Sequence, residues 1–285
     1  MYENGAILTL LNDQDDRSNP VEVSGQALFE NEIQVEGHPW YINQDYNNHR
    51  DATYEEILHL VHDYGIGIDG HNSFPGAMPE YQSEIREAQK NALSNNLWGI
   101  GADSWINELI DENSLTQEYL AALIDSYYGL WGAWTDSNTH GMWGIYVAKT
   151  RDGILKEDSI GAEIMNNKFF HPHLTYNARI DSSFNGNFTL RFDSSKPYTN
   201  HSQYLKDITL LGSNDISVSI NQLDNNINGN QGINTVIFSG NSSEYILNIL
   251  DNKTSIMDKI LDRDGINILQ NIEKLQFKDQ TIELN

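Results

Sequence analysis

The chain has no cysteine among its 285 residues, which excludes disulfide staples, thiolate zinc sites and a cysteine nucleophile. Basic residues are scarce: 17 Lys and Arg stand against 41 Asp and Glu, a formal net charge of −24. So few cations leave nucleic-acid phosphates without neutralising partners, so nucleic acid is not an expected ligand. The same acidity disfavours docking on anionic membranes. No apolar run approaches the ~20 residues that span a bilayer, so no membrane insertion is expected. The first 30 residues carry acids where a secretory signal would place a basic segment and an apolar one.

What is present suffices for a core. Hydrophobic residues make up 39% and aromatics 10%, a globular composition. Its distribution is uneven. All six tryptophans lie between Trp40 and Trp143, and 28 of the 41 acids fall in residues 1–170. Two compositions predict two domains, 1–172 and 173–285, with the change between about 170 and 185.

The first domain reads as mainly helical after a loop-rich start containing short extended pieces, "AILTLL" and "VEVSGQALF". Helices are predicted over 53–64, with Asp51 or Thr53 as N-cap and Gly65 as stop, and over 79–93, opened by Pro79. Further helices are expected over 103–112, over 116–131 behind Thr116, and over 158–170. Beyond "FHPHLTYNARID" the texture changes. "GNFTLRF", "DITLLG", "ISVSINQ", "NTVIFSG", "EYILNIL", "IEKLQF" and "QTIEL" are short alternating runs between Asn, Gly, Asp and Ser turns, the pattern of strands. The expected class is α+β: a mainly helical N-terminal domain followed by a β-rich C-terminal one.

Within the helix predicted over 53–64, Glu55, His59 and His62 fall at i, i+4 and i+7 and form one stripe. Carboxylate and imidazole at i, i+4 converge on a metal ion, and zinc accepts both. "EEILH" is similar to the H-E-x-x-H motif of zincin metallopeptidases, with Glu55 in place of the first His. The likeness implies Glu55 and His59 as ligands and Glu56 as the general base on a metal-bound water. A further ligand is needed. Asp125 ranks first, because a carboxylate among Leu123, Ile124, Tyr127 and Tyr128 needs a partner. His71, Glu118 and Glu163 are the other candidates. The bland account of the stripe is a helix with acids at its positive end and histidines on its edge.

The C-terminal half carries a second likeness. In "INGNQGINTVIF", Gly229, Asn230, Gly232 and Asn234 stand where the calcium-binding repeat G-G-x-G-x-D-x-U-x has its turn. In "RDGINILQNIEKLQFKDQTIEL", Asp264, Gly265, Asn267, Leu269, Asn271, Ile272, Glu273, Leu275, Phe277, Asp279 and Thr281 follow a pattern that recurs at the end of serralysin-like and other RTX-type secreted proteins. The segment resembles those ends. The resemblance implies an extracellular protein exported by type I secretion machinery without an N-terminal signal, with calcium in the turn. Asn replaces both the second Gly and the Asp of the repeat, and only one repeat is legible, so a fully calcium-loaded array is not expected. The serralysin H-E-x-x-H-x-x-G-x-x-H is also absent: its first His is Glu55, its Gly is His62 and its last His is Gly65.

His171, His173 and Tyr176 in "FHPHLTY" are candidates for residues lying over an active face. The tryptophans of "LWGAWTD" and "GMWGIY" read as a sugar-stacking surface or as core. The leading expectation is a secreted zinc-dependent metallopeptidase-like hydrolase acting on protein or peptide. The alternative is a non-enzymatic secreted or surface protein, and a third reading is a His/carboxylate iron centre for oxidative chemistry.

Overall fold

The computed structural model describes residues 1–12, 14, 23–33, 52–68, 76–134, 137, 139–167, 177–250 and 253–284. Trp40, Asp51, His71, His171, His173 and Tyr176 lie outside the described residues. The chain is α+β, with helices concentrated toward the N-terminus and sheets toward the C-terminus. The described residues up to 167 form one compact unit and those from 177 onward another.

The first unit begins with two short parallel strands, β1 (Leu8–Leu11) and β2 (Gln26–Phe29). Six helices follow among the described residues: α1 (Thr53–Val61), α2 (Pro79–Ser94), α3 (Asp103–Glu112), α4 (Leu115–Tyr127), α5 (Arg151–Glu157) and α6 (Ser159–Asn167). Helix α4 is the hub and packs against α1, α2, α3, α5 and α6. Its sequence explains the position, since every residue from Tyr119 to Tyr127 is buried, as expected of a helix apolar on all sides. Buried Asp158 ties α6 to this hub: it accepts hydrogen bonds from the Tyr119 hydroxyl at 2.7 Å, the Tyr146 hydroxyl at 3.1 Å and the Gly161 N–H at 3.1 Å.

Helix α1 does not stop at Gly65 as its sequence predicts. It widens into a π turn, His62–Ile66, and ends at Gly67, whose φ of 105° lies outside helical space. The cap also differs. Ala52 precedes the first turn, and the Thr53 hydroxyl donates to the Glu32 carbonyl at 3.2 Å. The π turn is held from outside by Ala77 N–H on Gly65 O and Met78 N–H on Ile66 O. Gly76 permits this approach, because a Cβ there would lie 2.0 Å from the Ile66 carbonyl oxygen. In this way the end of α1 and the start of α2 are fixed together.

In the second unit the chain alternates between two sheets. Its strands are β3 (Asn177–Ile180), β4 (Gly186–Thr189), β5 (Asp207–Leu210), β6 (Ile216–Ser219), β7 (Asn225–Asn228) and β8 (Thr235–Ile237). There follow β9 (Tyr245–Leu250), β10 (Lys253–Asp258), β11 (Ile266–Gln270), β12 (Lys274–Gln276) and β13 (Thr281–Glu283); a short helix, α7 (Thr199–Ser202), precedes β5. The first sheet has the order β3-β5-β7-β11-β10-β9 and the second β13-β12-β8-β6-β4. The four rungs β3, β5, β7 and β11 run parallel, as do β4, β6, β8 and β12. The result is a parallel coil with an antiparallel hairpin, β9–β10, added at one edge.

In-register stacks fill the coil. Ala178, Ile208, Ile227 and Leu269 form one buried column, and Phe188, Val218, Val236 and Leu275 form the other. Side-chain amides close the turns. Asn221 Nδ2 donates to the carbonyls of Gln203 and Leu205 at 3.1 and 2.9 Å. Asn230 Nδ2 donates to those of Leu211 and Asn214 at 3.1 and 3.0 Å. The two stretches that carry the RTX-type likeness meet: Glu273 Oε2 accepts from Asn234 N–H at 2.6 Å, and Asn234 Nδ2 donates to Gly232 O at 2.9 Å.

Candidate metal centre

The stripe on α1 faces inward. Glu55 and His59 are only 5% and 9% exposed, and Leu58 and Leu60 beside them are buried. A buried carboxylate and imidazole on one helix face need partners, and α4 supplies one. Glu118, in the first turn of α4, brings Oε1 to 3.5 Å from His59 Nε2. The ligand atoms of Glu55, His59 and Glu118 all lie within 4.8 Å of one another, a spacing that can close on one metal ion. Two carboxylate oxygens and one imidazole nitrogen form a donor set suited to zinc and to harder divalent ions. Three protein ligands leave coordination positions for water or substrate.

The electrostatics of the cluster are those of crowded acids. Burial, followed by repulsion from Glu55, Glu112 and Asp125, pushes the Glu118 carboxyl up to about 8. Burial, with Glu32, Glu55 and Glu118 nearby, pushes Glu56 up to about 9, against a hydrogen bond from Gln26 that acts the other way. That bond runs from Gln26 Nε2, on β2, to Glu56 Oε2 at 2.7 Å. Burial also lowers His59 below its usual range, partly offset by Glu55, and so keeps a nitrogen lone pair for a metal. A divalent cation would relieve every one of these repulsions.

Of the ligands expected from sequence, Glu55 and His59 come together, with Glu56 beside them. His62 does not join them. Its Nε2 lies 2.6 Å from Gln82 Oε1, and the Gln82 amide in turn donates to the Thr116 hydroxyl at 3.2 Å. This hydrogen bond engages His62 Nε2 away from the cluster. Asp125 also stands apart: its Oδ2 accepts from the Trp131 indole N–H at 2.9 Å. An indole six residues along is one partner of this buried carboxylate. Glu163 is exposed on α6. Glu118, ranked behind Asp125 in the sequence, takes the third place; the two lie on one face of α4 two turns apart, and only packing against α1 distinguishes them. The tryptophans of "LWGAWTD" and "GMWGIY" pack on one another, with Trp131 buried edge-on against Trp134 and Trp143.

Compared with family models, with curated proteins and with solved structures, the chain gives no match. No helix among the described residues is long and apolar enough to cross a membrane.

Proposed function

We propose that the helical unit is a divalent-metal hydrolase centre. Zinc is the first candidate ion, held by Glu55, His59 and Glu118, with Glu56 as general base and a peptide carbonyl as the group attacked. The observation that carries this reading is the convergence of three ligand atoms from two helices at a buried position. The ion would acidify its bound water and polarise the carbonyl. Glu56 is anchored through one oxygen by Gln26 and can take the water's proton on the other. Without the ion its carboxyl is pushed up to about 9; a neighbouring positive charge would bring it down toward the range in which a base works at neutral pH. The likeness of "EEILH" to the zincin motif supports peptide hydrolysis, and the RTX-type tail supports action outside the cell after type I export.

One observation favours a second reading. Glu55 and His59 are nearly closed off from solvent, as in sites where an ion staples two helices and performs no reaction. The same preparation separates the two. Protein purified without chelator is analysed for metal beside a His59→Ala variant, and wild type and Glu56→Gln are assayed on a peptide and ester panel. One zinc per chain, absent from His59→Ala, with hydrolysis lost in a Glu56→Gln protein that keeps its zinc, supports the hydrolase. Zinc without hydrolysis, and melting that falls on chelation, selects the staple. No ion taken up when zinc is offered refutes both.

A further inference from the structure

The outward face of the first sheet of the coil is a groove of about 370 Å³, within the roughly 300–1,000 Å³ of small-ligand clefts. It lies wholly within the second unit and does not depend on the metal centre. Its side chains come from successive parallel rungs. Asn177, Asp207, Asn226 and Ile268 stand in one register row, and Arg179, Thr209, Asn228 and Gln270 in the next. Lys253 stands at the hairpin.

We infer that this groove binds a neutral oligosaccharide segment. Four of the ten lining residues, Asn177, Asn226, Asn228 and Gln270, are amides, each offering a donor and an acceptor, the pairing that adjacent sugar hydroxyls require. Part of that capacity is already oriented. Thr209 Oγ1 donates to Asn177 Oδ1 at 3.2 Å, Asn226 Nδ2 to Asp207 Oδ1 at 2.6 Å, and Asn271 Nδ2 to Asn228 Oδ1 at 2.8 Å. These bonds fix the side chains in place and leave their remaining donors and acceptors facing outward. Ile268 adds an apolar patch for the C–H face of a ring. Asp207 and Lys253 are the two charged side chains of the lining and have opposite signs, and exposed Arg179 stands beyond it on the edge strand, so the lining itself carries no net charge. Parallel rungs repeat every ~4.8 Å, close to the length of one pyranose unit, so successive sugars meet successive rungs. A peptide has no such fit, because the backbone groups of these strands are already paired within the sheet.

The test uses the full chain and isothermal titration with laminari-, cello-, malto-, isomalto-, manno- and chito-hexaose, and with oligogalacturonate as the charged control. At least one neutral hexasaccharide binds with a Kd below about 1 mM. The Asn226→Ala/Asn228→Ala variant weakens that binding tenfold or more while its circular dichroism and melting temperature stay at wild-type values. Gln276→Ala, an exposed amide on β12 of the other sheet, leaves binding unchanged and controls for surface effects. No neutral hexasaccharide bound at about 10 mM overturns the inference. So does binding of equal strength in the double variant, or binding confined to oligogalacturonate. If the double variant does not fold, Gln270→Ala alone is titrated with the same ligand, and unchanged affinity there overturns the inference as well.

Discussion

Raising the pH from 6 to 9 will tighten ion binding at the α1–α4 cluster, and the slope reports how many protons the ion displaces. Without metal, Glu118 titrates near about 8 and Glu56 near about 9. At pH 7 a proton on Glu118 must leave before its oxygen can ligate. One pKa unit above ambient pH costs about 1 kcal/mol, or roughly tenfold in affinity, and two units about a hundredfold. Glu56 is not a ligand, but the arriving charge repels its proton too. The dependence below pH 8 therefore corresponds to between one and two protons per ion. His59, held below its ordinary value by burial, adds less to the slope than an unshifted imidazole would. Competition with a chromophoric chelator at pH 6, 7, 8 and 9 measures the slope, and Glu118→Gln provides the control. That variant has no proton to displace at this position, so its slope falls by about one proton and its affinity at pH 8 drops about a hundredfold. A flat affinity from pH 6 to 9, or a slope and affinity unchanged in Glu118→Gln, would refute the placement of Glu118 as a ligand.

The same groups govern stability without metal. The folded pKa values of Glu56, Glu118 and Asp63 lie above their ordinary ones, so the unfolded chain gives up these protons first. Their contribution is fully present below about pH 4 and is lost as pH rises toward 9, at up to about 1 kcal/mol per unit per group. Calorimetry of chelator-treated protein should show melting fall from pH 5 to 9; a rise across that range contradicts the argument. Asp158→Ala strands the buried hydroxyls of Tyr119 and Tyr146 and the Gly161 N–H, and should cost about 3 kcal/mol or more in urea denaturation. A loss under 1 kcal/mol would remove Asp158 from the role of helix tie. Gly229→Ala places a methyl 1.8 Å from the Asn271 carbonyl oxygen, so the coil should fail to close and the protein should be recovered mainly insoluble. Gly186→Ala has a φ of +102° and nothing within 4 Å, so it meets no clash and should cost only backbone strain, about 1–3 kcal/mol.

The helices of the first unit were legible because their signals are local. Pro79 opens α2 where its fixed φ suits the first turn, and α3 matches its predicted span. Helix α5 was missed: Gly153 falls in mid-segment and only one side of the element, at Ile154, is buried. In the second unit β4, β5, β6, β8, β9, β12 and β13 were legible as alternating runs, whereas β3, β10 and β11 were missed although their burial alternates too. "NNIN", strand β7, was also missed, since nothing in three asparagines suggests a strand. It is a strand because Ile227 stacks between Ile208 and Leu269 in a coil that neighbouring rungs dictate. The repeat shows in the sequence once while the coil takes four rungs, because inward positions demand only an apolar side chain and each turn closes with its own hydrogen bonds. At the cluster, Glu55 and His59 of one helix were readable together from spacing. The third was not, because choosing between Glu118 and Asp125 requires knowing which turn of α4 meets α1.

The amide-closed turns bear on where the second unit can fold. At Asn221, Asn230 and Asn234 the turn carbonyls converge on N–H groups of the protein's own side chains. A coil built on carbonyl–calcium contacts is a conditional structure: its folded population tracks the free ion concentration, and a compartment poor in calcium keeps it open. Here side-chain N–H groups already satisfy those carbonyls, so these turns can close on hydrogen bonds alone.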